Sequence, residues 1–280
     1  MKILLTGANG YIGSKVCKYL CDHYYEVIAV DLCSTHIDSR ARFINFDIFN
    51  LEDKDLFSFF DEPDVCLHLA WRDGFKHNSN KHILDLSSHF KFLENLVKNG
   101  LKNLAIMGTM HEVGYREGAV DENTPCKPTN YYGISKNCLR ECTKLLCEEY
   151  NCSWKWLRAF YIYGNDDYGA SVFCKIRKAF EDGTKEFSLT SGTNKFDFID
   201  IDELSELISL SIVQNQINGI INVSSGKPIS LKDQILMYVK INNIKLKLNW
   251  GFYPERESES PCIYGDNTKI SEIIKNSTLL

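Results

Sequence analysis

Along the first 164 positions, short apolar runs alternate with longer amphipathic stretches. KILLT (2–6), YEVIAVD (25–31), FINFD (43–47), DVCLHLA (64–70), LKNLAIMG (101–108) and WKWLRAFYIYG (154–164) are compact runs bounded by turn-forming residues, as buried strands are. The stretches between them predict helices over about 11–23, 51–60, 81–99 and 131–150. Such alternation is the pattern of a parallel sheet covered by helices on both faces. Beyond 164 the pattern loosens. A helix over about 169–182, the strand pieces EFSL and FDFID, a helix over about 202–215 and INVSS follow, and from roughly 226 a helix is mixed with the loop FYPERESESP.

The first strand runs into TGANGYIG, which sets Gly7, Gly10 and Gly13 three residues apart before the first helix. Glycines there permit a tight turn and let backbone N–H groups and the helix N-terminus approach a pyrophosphate. Asp31, ending the second strand, is placed to accept hydrogen bonds from the ribose hydroxyls of an adenosine. A carboxylate there repels a 2′-phosphate, so NAD(H) is favoured, while Arg40 and Arg42 leave NADP(H) open. Asp47 closes the third strand as a candidate acceptor for the adenine amino group, complemented by the Ile48 backbone; the alternative for Asp31 and Asp47 is an ordinary strand-end carboxylate in a turn. Asn9, Tyr11 and Ile12 in the turn and Leu69 and Ala70 at the fourth strand end complete the candidate cofactor-binding set. The fold class is therefore α/β, a Rossmann-type doubly wound parallel sheet. Residues 1–164 form its NAD(P)-binding domain, and 165–280 a smaller C-terminal substrate-binding lobe interleaved with it as one structural unit.

Tyr132 and Lys136, in YYGISK, lie four apart at the start of the long helix and so share one face. A phenol with a pKa of about 10 is a poor proton donor or acceptor at neutral pH. A neighbouring ammonium stabilises the phenolate and pulls the phenol towards the working range. The lysine can also hold the nicotinamide ribose.

Composition changes this picture little. Thirty-two Lys and Arg against 37 Asp and Glu give a net charge of −5, and the basic residues are scattered, so no nucleic-acid footprint is visible. No apolar stretch approaches the roughly 20 residues of a membrane span. Eleven cysteines without a C-x-x-C read as reduced thiols, with Cys17/Cys21 and Cys138/Cys142 as helical neighbours, and a cytoplasmic location is expected. The pair His111-Glu112 resembles the front of a zinc-protease helix, but the second histidine such a site needs would be at 115, which is Tyr. His77, His82 and His89 lack a carboxylate or cysteine partner at metal spacing, so no metal is expected.

TGANGYIG, Asp31, Asp47, HLA (68–70), GT (108–109), YYGISK, LRAFYIYG, DFIDIDEL and INVSSGKPISL together resemble the extended short-chain dehydrogenases/reductases, the NAD-dependent epimerase/dehydratase family, in their sugar-nucleotide branch. The resemblance implies that Thr109 joins Tyr132 and Lys136 as a catalytic residue, its hydroxyl and the phenol both binding the reacting sugar oxygen. Family dehydratases carry an acidic pair, or a Glu variant, directly after this Thr; here Met110 and His111 stand there, and dehydration loses its usual acid, with His111 as the one alternative proton donor. Tyr161 replaces the family's diphosphate-binding Asn, and Lys195–Phe196 replace the usual Arg before the D-F-[IV] stretch. Arg256 in PERESE matches the family's diphosphate-binding Arg, or else is a solvated partner of the neighbouring glutamates. Lys175 and Arg177 are further phosphate candidates or plain surface charges, and Asp266, Asn267 and Lys269 resemble a D-x-x-K ending. Trp71 and Arg72, after the HLA strand end, are candidates to shape the substrate pocket, with core packing the alternative for Trp71.

The expected function is that of a nucleotide-sugar oxidoreductase that reduces an NDP-4-keto-6-deoxyhexose at C4 with NAD(P)H. Tyr132 would protonate the oxygen, Lys136 tune it and Thr109 orient it. The missing dehydration acid and the short C-terminal lobe favour this; the alternative is an NAD-dependent NDP-hexose 4-epimerase, which Asp31 favours. The expected partner is a nucleoside-diphosphate sugar, and a homodimer through the 81–99 and 131–150 helices is implied by the resemblance.

Overall fold

The computed structural model describes residues 1–51, 54–164, 171–255 and 259–277. In chain order the first part holds β1 (Lys2–Thr6), α1 (Tyr11–Asp22), β2 (Glu26–Asp31), β3 (Arg42–Asn45), α2 (Leu56–Phe59), β4 (Val65–His68), α3 (Lys81–Leu84), α4 (Leu86–Lys98) and β5 (Asn103–Thr109). A 3-10 turn (Met110–Glu112) leads to β6 (Gly118–Val120), α5 (Tyr131–Glu149), β7 (Ser153–Ala159) and β8 (Tyr161–Tyr163). Then come α6 (Val172–Glu181), β9 (Glu186–Ser188), β10 (Lys195–Asp200), α7 (Ile201–Val213) and β11 (Gly219–Val223). The described chain closes with β12 (Pro228–Ser230), α8 (Leu231–Ile241), β13 (Lys247–Asn249), β14 (Cys262–Gly265) and α9 (Thr268–Ser277).

The main sheet has seven parallel strands in the order β11-β7-β5-β4-β1-β2-β3. Strand order reverses between β1 and β4, the switch point where doubly wound sheets bind ligands. Alternate strand residues feed two cores: Ile3, Leu5, Val27 and Ala29 pack under α1, α7 and α9, while Leu4, Ile28 and Val30 pack under α4 and α5. Coverage of both faces explains why the strands read as continuous apolar runs. Each fully buried Leu or Ile contributes about 1.5–3 kcal/mol to holding these layers together.

A second sheet, β12-β10-β14-β6 with β8 paired to β10, lies above the strand ends over its own core, and β9 and β13 form a separate pair. Buried Asp197 of β10 clasps it together, accepting from Ser225 N (2.9 Å), Ser225 Oγ (2.6 Å), Gly226 N (2.9 Å) and Gly265 N (3.0 Å).

Three elements differ from the sequence reading. The helix expected over 51–60 is the single turn α2, started by Asp55 Oδ1, which accepts from Ser58 N at 3.1 Å. The helix expected over 81–99 is interrupted at Asp85, whose carboxylate grips Arg72. The strand expected over 154–164 divides at Phe160, leaving β7 in the main sheet and carrying β8 to the second. The two parts of the chain interleave: β11, made after residue 164, edges the main sheet, and β6, made before it, edges the second.

Candidate active site

A cleft of about 1080 Å³ opens at the switch point. Its floor is the glycine turn, which is packed too tightly to carry side chains. A Cβ on Gly7, whose φ is +70°, would sit 2.6 Å from Ala70 N, and one on Gly13 would overlap the Gly7 carbonyl oxygen. No side chain caps α1 at Gly10, so the helix N-terminus is presented to the cleft by backbone alone. Beside the turn, Asp31 Oδ2 accepts from Asn9 N at 2.9 Å and Oδ1 from Leu32 N at 2.7 Å. Gly7, Gly10, Tyr11, Ile12, Gly13 and Leu69 all line the cleft. These residues fit a dinucleotide: a side-chain-free cradle for a pyrophosphate next to a carboxylate for a ribose. Asp47, expected at the adenine, holds its own turn through Phe49 N (2.9 Å), and the Ile48 side chain is buried in the core.

β5 delivers Thr109 to the wall, and α5 brings Tyr132 and Lys136 opposite it. Asn130 starts α5 there, its Oδ1 accepting from Gly133 N at 2.8 Å. Gly133 is required by crowding, since a Cβ would overlap the His111 carbonyl. Thr109 and Tyr132 both line the cleft. Burial pushes the Tyr132 phenol up to about 12, opposed by the nearby Thr109 hydroxyl and reinforced by the Glu112 carboxylate. Burial pulls Lys136 down to about 7, with Glu112 opposing. Lys136 Nζ donates to the Met107 carbonyl at 2.7 Å.

The 3-10 turn after Thr109 splits the pair that precedes Glu112. His111 faces the cleft, where burial, and secondarily His77, pulls its imidazole down to about 4. Met110, expected at the substrate, is instead packed into the core of the second layer. Arg72 is also withdrawn from its expected place. It forms a two-point ion pair with Asp85 and lies 4.0 Å over the Phe49 ring. Trp71 and Tyr161 do line the cleft. Arg256 falls outside the described residues. Lys175 reaches the cleft, whereas Arg177 turns to Glu181 (3.8 Å) and Lys269 to Glu122 (2.6 Å).

Two contributors escaped the sequence reading. His77 stacks on the Tyr132 ring (centroids 5.4 Å, 12°), and its carbonyl accepts from Tyr132 N at 2.9 Å. Buried Glu112 anchors the site from behind, accepting from Trp156 Nε1 (2.9 Å) and Arg158 Nε (2.8 Å), with Arg140 Nε 4.0 Å away. The signal for Glu112 is a charge beside the apolar Met110 and Val113, but the two donors it accepts from are more than 40 positions away. Among the described residues, no group of three or more His, Cys, Asp or Glu could hold a metal ion. None of the helices among those residues is long and apolar enough to cross a membrane.

A glycine-floored cleft at the switch point and a Thr-Tyr-Lys group on its wall define the class. The sequence model of the NAD dependent epimerase/dehydratase family matches residues 3–224, and the chain belongs to this family, the sugar-nucleotide branch of the extended short-chain dehydrogenases/reductases. Among individual relatives, it is 39% identical to the dTDP-6-deoxy-L-talose 4-dehydrogenase (NAD(+)) of Aggregatibacter actinomycetemcomitans, covering 95% of this chain and 99% of that one. It is 24% identical to the GDP-6-deoxy-D-talose 4-dehydrogenase of the same organism, covering 99% of this chain and 92% of that one. The fold also matches the UDP-glucuronic acid 4-epimerase of Bacillus cereus in complex with UDP-glucuronic acid and NAD. The TM-score is 0.81 at 24% identity, with 98% of this chain and 93% of that chain covered.

Proposed function

We propose that this protein interconverts a nucleoside-diphosphate 6-deoxyhexose and its 4-keto form, with dTDP as the nucleotide and NAD(H) as the cofactor. The observation that carries the reading is the gathering of Thr109, Tyr132 and Lys136 on the wall of one cleft, with His111 in the place where a dehydratase has a carboxylate. When bound, the nicotinamide supplies or accepts the hydride at C4. Tyr132 holds the proton that O4 gains on reduction and gives up on oxidation, Thr109 orients that oxygen, and Lys136 stabilises the phenolate left behind. Burial raises the phenol and so weakens it as an acid, and the ammonium of Lys136 is the group that offsets this when Tyr132 gives its proton to O4 in the reductive direction. Burial disfavours the imidazolium of His111, which weighs against its acting as the proton donor of a dehydration.

NAD(H) over NADP(H) is supported by Asp31 and by the engagement of both nearby arginines elsewhere. Arg40 binds Asp22 (2.6 Å) and Asp38 (2.8 Å from Nε), and Arg42 lies 3.4 Å from Asp61. Lys175 in the cleft is suited to a diphosphate oxygen. A homodimer is supported by Leu84 of α3 and by Ile134 and Leu145 of α5, which stand exposed on the outer helical layer; sedimentation analysis tests it.

The decisive experiment supplies dTDP-6-deoxyhexose with NAD⁺, and the 4-keto sugar with NADH, and follows the nicotinamide absorbance. Stoichiometric cofactor turnover is expected. Sugar conversion without net cofactor change would overturn the reading in favour of the 4-epimerase. Tyr132→Phe should lower kcat by about 10²–10⁴-fold.

A further inference from the structure

Lys136 is 2% exposed, and among the described residues no carboxylate lies within ion-pair distance of its ammonium. Its one neutral acceptor is the Met107 carbonyl at 2.7 Å. What faces it instead is an aromatic ring: Nζ lies 3.9 Å from the ring centroid of Trp71. An indole face attracts a cation more strongly than the other aromatic side chains do, and most where water is excluded.

Trp71 is held on two sides. Its Nε1 donates to His82 Nδ1 at 3.0 Å, and His82 Nε2 lies 3.0 Å from the Lys76 carbonyl. These two contacts fix one tautomer, Nε2–H donating to the carbonyl and Nδ1 accepting from the indole. The indole also stacks on His89 (centroids 4.4 Å, 11°), whose Nδ1 lies 2.9 Å from His68 Nε2, and His68 Nδ1 lies 2.8 Å from Thr6 Oγ1. Burial pulls both His68 and His89 far below the usual imidazole range, so neither puts a positive charge behind the ring at neutral pH. A tryptophan locked between His82 and His89, directly against a buried ammonium, is more than core packing.

We propose that Trp71 is a positioning residue for Lys136: its indole face keeps the buried lysine charged and aimed into the cleft, and so keeps the neighbouring phenolate accessible to Tyr132. The proposal rests on the catalytic reading of Tyr132 and Lys136. Loss of one proton from this pair gives either a neutral lysine beside a phenol or an ammonium beside a phenolate. The two forms hold the same number of protons, so pH cannot exchange one for the other; only the surroundings can. Glu112 and Trp71 both favour the ammonium, the first by charge and the second by its ring.

The test replaces Trp71 with indoles carrying one to four fluorines, which weaken the ring's attraction for a cation while keeping its shape and its N–H. Trp71→Phe serves as a second variant. Lys136 is titrated by NMR in the cofactor-free full chain labelled at lysine, its signal assigned with Lys136→Arg. Its apparent pKa should fall stepwise by about 0.4 to 1.5 pH units across the series. In turnover, the plateau kcat for sugar oxidation should fall by about 2- to 30-fold with little change in KM for NAD⁺, the same range expressed as a ratio. A Lys136 pKa that ignores fluorination would overturn the proposal, even if the sugar is turned over. Failure of the native protein to oxidise any 6-deoxyhexose would overturn the proposed function instead, and would leave the titration result standing.

Discussion

Replacing Glu112 with Ala probes the support behind the active site. The carboxylate is fully buried and accepts from two donors that are themselves buried, the Trp156 indole N–H at 2.9 Å and Arg158 Nε at 2.8 Å. With Glu112 gone, Arg158 keeps one backbone acceptor, the Asp121 carbonyl at 3.0 Å, but among the described residues its charge has no other counter-ion in contact. Breaking a buried pair by removing one partner costs about 3–5 kcal/mol. The orphaned indole N–H overlaps with that figure, since a lost buried partner costs about 1–3 kcal/mol alone. Against a total stability of about 5–15 kcal/mol this is a large fraction. At about 2 °C per kcal/mol for a chain of this size, the melting midpoint should fall by about 6–10 °C. Glu112→Gln keeps an acceptor for both donors and should lose less, about 1–3 kcal/mol. Thermal melts read by circular dichroism measure all three proteins. A Glu112→Ala protein within about 1 kcal/mol of the native one would refute this account. Equal loss in Ala and Gln would refute the role given to the acceptor geometry.

Further outcomes follow from the same contacts. Gly13→Ala should weaken NAD binding about 10- to 100-fold by calorimetry, because the added Cβ collides with the Gly7 carbonyl and relief costs about 1–3 kcal/mol; an unchanged Kd would contradict the cradle. His68 is held at about 3 and His111 at about 4, with His89 well below its ordinary value, so below pH 6.5 the unfolded chain binds more protons than the folded one. Stability from these groups is present above pH 6.5 and lost as pH falls towards 4, with a slope of up to about 4 kcal/mol per pH unit for three protons; denaturant midpoints flat between pH 6.5 and 5 would refute it. Asp197→Ala strands three backbone N–H groups and should cost at least about 3 kcal/mol. Hydrogen exchange should quicken first at Ser225, Gly226 and Gly265, and unchanged exchange there would refute the clasp.

The glycine turn, the carboxylate beside it and the Tyr-Lys pair were legible because their signals are local. A glycine turn between a strand and a helix, a carboxylate one strand later, and a Tyr and Lys one helical turn apart are each set by neighbours in sequence. The rest depended on pairings that periodicity does not carry. Asp85 reads as one more polar residue in a helix until Arg72 meets it. Phe160 reads as mid-strand until β8 finds β10. Met110 and His111 differ in fate only because a 3-10 turn sends one into the core and the other to the cleft. The sequence around Trp71 fits pocket and core equally, and the residue does both: it lines the cleft and packs on His89.

The placement of β11 has a consequence for how the chain is made. β7 exposes its hydrogen-bonding edge until β11 pairs with it through Gly219↔Lys155 to Val223↔Ala159. Residues 160–218 must therefore leave the ribosome before that edge is covered, and an unpaired strand edge invites association with other chains. A fragment ending at residue 164 would retain the glycine turn and the Thr-Tyr-Lys group, yet it would carry an open edge and lack α7 and α9, which cover one face of the sheet. The later part of the chain thus acts as the closing partner of the first, and emergence of β11, α7 and α9, rather than of the Thr-Tyr-Lys group, sets when the main sheet can be covered.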